Sequence, residues 1–497
     1  MPPIARIPAD LLHDIFDLVA HAEGAGRNHN LNGSINCIPV SHVCRDWRSL
    51  SLASPMLWSV LHLDVHSSVA MLREFLERSR DAPLFVKMQG PSSVWSSTED
   101  IIRMARVLSD HSSRFKAFHV VSFLSDDMKS VLAPFTSPAP NLRQLSLSAA
   151  SYTSNPAIFT GWMPMLREVL ICSVSMPWVS YQNLVELELS DQVAPSLEDL
   201  LWSIRNSPSI EILCLDLRGA LRVEDSGTVS QQQCINLQNL RKLALGSAQN
   251  PDDVLKILAC LSFPVTTSVD LQLRYSEGAT TQIDIRQCSP SIAEITSGID
   301  KAFLQFVSSH TYRHITLGAL DGLYTVKWEW DVDDGGDVAI DNVVLSTIDL
   351  PALQSLKLQT YGFYVREETW LNVLKLFPTI DMLEIDFRTV HHIVPATIFS
   401  VLAENGNDGK VVCPNLTHLI VSLVGDVDIH IWSNLVVSVL ARQRLGARRL
   451  ALLDVTFDGA LPAALIPLNN IVGQVEVRKR QNPRVKTTRS LSAHSTR

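Results

Sequence analysis

The chain has 497 residues, 46% of them hydrophobic and 19% charged, which predicts two or more domains, or one elongated array, with a large core and no wholesale disorder. Its formal charge of −9 understates the acidity of the body, because the last stretch carries Arg478, Lys479, Arg480, Arg484, Lys486, Arg489 and Arg497 and no acid; an acidic body repels phosphate backbones, so nucleic acid is excluded as the main ligand. No run of about 18 uncharged apolar residues occurs, Met1 to Asp10 lacks the features of a signal peptide, and the eight cysteines contain no CxxC pair. These absences exclude a membrane span, a disulfide framework and a zinc ribbon, and predict a soluble chain, cytoplasmic or nuclear, with reduced thiols.

Residues 8 to 19 have the spacing of a helix. Pro8 suits a first turn, Asp10 suits the positive end of the dipole, and Leu11, Leu12, Ile15, Phe16 and Val19 share one face. The polar, Gly- and Asn-rich run from His21 to Asn36 predicts a loop. Helical spacing resumes at Val40, Val43, Cys44, Trp47 and Leu50, and Pro55-Met56-Leu57-Trp58 opens a third short segment. So small a unit cannot bury this much Leu, Phe and Trp, so part of the surface is expected to meet a partner.

Three ordered blocks, Ile7-Pro8-Ala9-Asp10-Leu11-Leu12 with Ile15-Phe16, Val40-Ser41-His42-Val43-Cys44-Arg45-Asp46-Trp47-Arg48, and Pro55-Met56-Leu57-Trp58, resemble the F-box. That resemblance implies docking on the Skp-type adaptor of an SCF ubiquitin ligase, and through it on a cullin, by Ile7, Pro8, Leu11, Leu12, Ile15, Phe16, Val43 and Cys44. Trp47, Leu57 and Trp58 are expected to fill the junction with the next domain. Ile7 replaces the usual Leu, and the loop from His21 to Cys37 is longer than the common form.

After residue 60 the signal is repetition. The pattern L-x-x-L-x-L recurs at Leu142/Leu145/Leu147, Leu166/Val169/Ile171, Leu184/Leu187/Leu189, Ile210/Leu213/Leu215 and Leu240/Leu243/Leu245, then at Leu353/Leu356/Leu358, Ile380/Leu383/Ile385 and Leu416/Leu419/Val421. The last two apolar residues of each unit alternate as on a strand, and the first closes the turn entering it. Helical stretches intervene at Ser196 to Arg205, Pro251 to Leu261 and Glu367 to Phe377, which predicts parallel strands joined by crossover helices. One such unit cannot cover its own apolar face, so neighbours must stack.

This body resembles the leucine-rich-repeat family loosely, in the irregular form attached to many fungal F-box proteins, whose linking region the stretch Val69 to Val121 also resembles. The repeat's usual Asn or Cys is absent, with Ala150, Val174, Gln192, Arg218, Ala248, Tyr361, Arg388 and Val424 at its positions. The turns must therefore satisfy their backbone groups in another way. The fold class expected is α/β: a three-helix F-box over residues 1–60, a linking region and solenoid start over 61–139, an irregular leucine-rich-repeat-like solenoid with parallel strands over 140–475, and a disordered basic tail over 476–497. Within it the stretch from Tyr275 to Asp349 breaks the repeat; Ile299 to Ser309 has the pattern of a helix and Tyr324 to Trp330 that of a strand, so either the solenoid continues with long turns or two repeat domains meet there.

Chemistry is scarce. Asp331 to Asp337 resembles a calcium loop, but Gly335 stands where an oxygen ligand is needed and Asn342 where a Glu is needed, so a solvated hairpin tip is expected. His21, His29, Cys37, His42 and Cys44 fit no zinc spacing, and no nucleophile elbow, Walker loop or dinucleotide fingerprint occurs. No metal, cofactor or catalytic residue is expected. Arg478-Lys479-Arg480 is either a solvated tail or a nuclear import signal.

The expected function is substrate recognition within an SCF-type ubiquitin ligase. The helices would hold the adaptor, and the solenoid would hold an unknown target protein near the charged ubiquitin, acting by proximity without acid or base of its own. Target contacts are expected at the non-core strand positions Gln144, Ser146, Glu186, Glu188, Asp216, Lys242, Lys357, Glu384 and Asp386. An adaptor-binding scaffold without ubiquitination is the alternative, and a hydrolase with an unrecognised site is a third.

Overall fold

The computed structural model describes residues 7–21, 38–91, 97–179, 181–219, 221, 234–247, 251–275, 285–308, 312–331, 350–361, 365–388, 397–403, 411–424, 429–457 and 463–479. The chain divides into two compact units, residues 1–276 with 285–294, and residues 277–284 with 295–497. Among the described residues 17 strands belong to one large sheet, paired mostly in parallel, and two short strands, Ile235–Asn236 and Leu261–Ser262, pair in parallel separately. Among the described residues no helix is long and apolar enough to cross a membrane.

The first unit opens with α1 (Ala9–His21), α2 (Arg45–Ala53) and a 3-10 turn over Pro55–Trp58. Nine strands follow: β1 (Val60–Leu63), β2 (Leu84–Gln89), β3 (Phe115–Phe123), β4 (Gln144–Ser154), β5 (Glu168–Ser175), β6 (Glu186–Val193), β7 (Ile212–Arg218), β8 (Lys242–Ser247) and β9 (Ser268–Tyr275). Each pairs in parallel with the next in chain order. A monotonic order joined by right-handed crossovers keeps every connecting helix on one side of the sheet. By that rule the opposite side has no helical layer among the described residues.

The strand register explains the repeat. Leu61, Val86, Phe118, Leu145, Val169, Leu187, Leu213, Leu243 and Val269 lie side by side in one lateral row, each at most 2% exposed. These are the fourth residues of the repeat where the repeat is present, and the row two residues on, from Leu63 to Leu271, is buried as well. The first leucine closes the entering turn as the pattern implies: the amides of Leu142, Leu166, Ile210, Leu240, Leu353, Ile380 and Leu416 each donate to the carbonyl three residues back. Packed on this face are helices at Val69–Ser79, Glu99–Ser109 and Ser125–Leu132, with a cluster of Phe115, Phe118, Phe135 and Phe159.

Residues 61–139, expected as a linking region and the start of the array, already supply strands that pair in parallel up to β4, with register shifts at Leu84/Phe85 and Val121/Phe123. The strand ends of this unit replace the missing amide ladder with bulges. Ser122, Ser173 and Asp191 take positive φ at interruptions of the pairing. Ser173 donates to Asp191 Oδ2 at 3.0 Å, Arg218 Nε to Asp191 Oδ1 at 2.6 Å, and Gln192, at one of the vacant amide positions, is buried with its Nε2 donating to the Ser190 carbonyl at 3.1 Å. Gly90 is required here, since a Cβ would lie 2.3 Å from the Ser122 carbonyl oxygen.

The second unit holds β10 (Lys301–Ser308), β11 (Tyr312–Ala319), β12 (Tyr324–Asp331), β13 (Ser355–Tyr361), β14 (Met382–Arg388), β15 (His418–Val424), β16 (Leu452–Phe457) and β17 (Gln474–Lys479). β10 pairs in parallel with β13, and β13 to β17 follow in chain order, while β11 and β12 form an antiparallel meander on the other edge of β10. The stretch expected as a helix from Ile299 is therefore a strand over Lys301–Ser308. Ala302, Leu304 and Phe306 are buried while Phe303, Gln305 and Val307 face the other way, the two-residue alternation of a strand that a nearly continuous apolar run conceals.

Two further expectations change. Residues 476–479 belong to an edge strand and not to a tail, with Arg478 3.2 Å from Asp454. The division between the two compact units falls at residues 276–295, within the interruption that runs from Tyr275 to Asp349. The residues of the calcium-like loop after Asp331 lie outside those described, as do His29 and Cys37. His42 and Cys44 are exposed, and no group of three metal-ligating side chains exists among the described residues.

Candidate functional site

Two surfaces present side chains that the fold itself does not use. The first is the outer face of α1. Leu11 is 53% exposed, Ile15 41% and Leu18 69%, and Val43, ahead of α2, is 58% exposed. Positions 11, 15 and 18 follow helical spacing and form one stripe. Leu12 and Ile7 are half-buried, and Pro8, exposed, accepts the Leu12 amide at 3.1 Å and so starts the helix.

Phe16, expected to face a partner, is 1% exposed. Its ring packs edge-on against Trp47 at 4.9 Å, so it holds α1 to α2 from within. Trp47, half-buried, thereby takes part in the packing of the helical module. Cys44 is not packed inside a helix: it is exposed and caps α2, its Sγ accepting the Trp47 amide at 3.4 Å. His13 Nδ1 lies 2.7 Å from Ser54 Oγ and ties the first helix to the end of the second.

Leu57 and Trp58 lie in the 3-10 turn that leads into β1. Both are 1% exposed; Trp58 donates to the Ser51 carbonyl at 2.8 Å, packs edge-on against Phe75 at 5.1 Å, and carries the Arg78 guanidinium 4.3 Å above its ring. The helical module is thus anchored from below while its outer stripe stays bare. Leu18 belongs to that stripe and was not among the expected contacts, although its place seven residues after Leu11 was the available signal.

The second surface is the helix-free face of each sheet, where alternation places every expected target contact. In the first unit one lateral row runs His62, Lys87, His119, Ser146, Leu170, Glu188, Cys214, Ala244 and Asp270. Gln144, Glu186 and Lys242 lie one row below, and Asp216 one row above. Gln144 Nε2 donates to Glu168 at 2.9 Å. Lys87 and His119 are only 6% and 3% exposed, burial lowers the Lys87 pKa, and burial together with the Lys87 ammonium lowers that of His62. That end of the row is closed, and the Glu188 to Asp270 end is accessible.

In the second unit the corresponding groups satisfy one another. Lys357 Nζ is 2.6 Å from Glu384 Oε1 across β13 and β14. Gln305 donates to Gln359 at 3.4 Å, and Gln359 to Asp386 at 3.3 Å, a lateral ladder over three strands. Lys357, Glu384 and Asp386, expected as target contacts, are therefore engaged within the sheet. Compared with known proteins, the chain matches no family model and no curated protein.

Proposed function

We propose that this chain is the substrate-recognition subunit of an SCF-type ubiquitin ligase, with the N-terminal helices as an F-box that holds a Skp-type adaptor and the β-α units as irregular leucine-rich-repeat-like solenoids that hold a target protein. The observation that carries this reading is the bare stripe of Leu11, Ile15 and Leu18 beside Val43, on a module whose interior is already filled by Phe16, Trp47, Leu57 and Trp58. Exposing so much apolar surface together costs solubility, and covering it with another protein's helices removes each large side chain from water with a gain of about 1.5 to 3 kcal/mol.

Ubiquitin transfer would follow from proximity alone. The adaptor end brings in a cullin and its charged enzyme, the sheets confine the target, and the chain supplies no catalytic group. The monotonic parallel order of β1 to β9, with one face free of helices, supports the solenoid part of this reading.

The test is affinity capture of the full chain from cells with the proteasome blocked. Adaptor and cullin are expected with the wild-type chain, and Leu11→Asp combined with Ile15→Asp is expected to lose both while retaining target proteins. Capture of adaptor by that double variant at the wild-type level would refute the assigned face. Adaptor without cullin would instead favour the scaffold alternative.

A further inference from the structure

The bulges of the first unit open a cavity at the carboxyl ends of its strands, where open α/β sheets commonly place ligands. Between the pairs Ser148 with Cys172 and Thr153 with Val174, β4 has four residues, Ala149 to Tyr152, where β5 has only Ser173, at positive φ. The strand ends displaced in this way, the turn after β5 and the entry to the helix Leu197–Arg205 line about 580 Å³. Small-molecule sites span about 300 to 1,000 Å³.

The walls are aromatic and uncharged. Trp178 and Tyr181 meet edge-on at 5.3 Å, and Tyr152 is held in place by the Arg218 guanidinium 4.5 Å over its ring. Burial pushes the Tyr181 phenol up to about 12, so it stays neutral. The one charged residue in the lining, Asp199, is exposed and accepts from Ser196 Oγ at 2.7 Å.

Two polar atoms of the lining residues are buried without a hydrogen-bond partner: Asn155 Oδ1 and Trp178 Nε1. Asn155 is 4% exposed, and its orientation is fixed. Thr153 Oγ1 donates its own proton to the Ser125 carbonyl at 3.2 Å, so it can only accept from Asn155, which turns Nδ2 toward the threonine at 3.4 Å and leaves Oδ1 over. Buried polar atoms are seldom left unmatched, and here an acceptor and a donor border the same cavity.

We propose that this cavity binds a small, flat, uncharged heterocycle that donates to Asn155 Oδ1, accepts from Trp178 Nε1 and packs against the aromatic walls. A charged occupant would lose its hydration with no opposite charge to meet it, and a purely apolar one would leave both atoms unpaired. The site shares no residue with the stripe on α1, so it stands or falls separately from adaptor binding.

The experiment follows the tryptophan indole N–H signals of the full chain by NMR, with Trp178→Phe identifying the signal of Trp178. The probes are 2-quinolone and 4-quinolone, which set an N–H beside or across the ring from a carbonyl; their N-methylated forms lack the donor, and naphthalene lacks both groups. At least one quinolone is expected to shift the Trp178 signal saturably below about 1 mM, and its N-methylated form to bind about tenfold more weakly. Asn155→Leu should weaken the quinolone by a similar factor and leave naphthalene unchanged, with thermal unfolding confirming that the variant is folded. The comparison among probes on the wild-type chain decides the matter even if that variant does not fold. No saturable shift with either quinolone means that solvent alone satisfies the two atoms and overturns the proposal, as does equal binding of the quinolone, its N-methylated form and naphthalene.

Discussion

The helix-free faces of the two units are built on the same grammar and arrange their charges differently. In the second unit, Lys357 meets Glu384, Arg478 meets Asp454 and Glu476, and an amide ladder ends on Asp386. In the first, the charged residues on the open face over β4 to β9 are Glu188, Asp216 and Asp270, with Lys242 acting on Cys214 beside them. Lateral neighbours decide the difference. What stands beside a residue on the adjoining strands sets how its charge is answered, and beside Asp216 the register puts Gly246. The strand ends differ too: the first unit is bulged, and the parallel ladders of the second run without a register shift.

What the units share is the buried row, and breaking it should be equally damaging in both. Leu213→Ala in the first and Leu383→Ala in the second, both 0% exposed, are each expected to cost about 2 to 5 kcal/mol in denaturant unfolding. A large disparity would mean that the two inner faces are not equivalent. Gly90→Ala should cost about 1 to 3 kcal/mol by the same measurement, because the new Cβ collides with the Ser122 carbonyl at the bulge.

Removing charge should separate the two open faces. Lys357→Met deprives Glu384 of its half-exposed partner and is expected to cost up to about 1 kcal/mol. Asp216→Asn removes one of three neighbouring carboxylates and should leave stability unchanged or slightly higher. The reverse ranking would break the comparison.

Acid gives a smaller effect of fixed sign. His62 in the first unit and His314 in the second are both held below the ordinary histidine value, chiefly by burial and then by Lys87 and Lys327 respectively. A lowered folded-state pKa means that the unfolded chain binds the extra proton first, so stability is complete above about pH 6.5 and declines as pH falls below it. His62→Gln should flatten that decline over the same range in thermal unfolding.

Much of this was legible in the sequence. The L-x-x-L-x-L pattern identifies the buried rows and the entering turns, and alternation identifies every open-face position named from it. β1 to β3 escaped because they lack the leucine that closes the turn, and β10 was taken for a helix because Ala302 to Val307 is apolar at almost every position. The basic residues of β17 concealed an edge strand, a place where charge is ordinary. Phe16 and Leu18 could not be sorted into inside and outside from helical spacing alone, since the position of Trp47 decides it. The cavity at the strand ends was invisible, because it depends on which residues of different strands lie side by side.

The most direct measurement is a titration of the purified full chain with a purified Skp-type adaptor, in parallel with the Leu11→Asp, Ile15→Asp double variant. A saturable complex with the wild-type chain, lost in the variant while its unfolding curve is unchanged, is the expected result. No complex with the wild-type chain, or one of equal affinity with the variant, would contradict the assignment of the bare stripe on α1 as the adaptor-binding face.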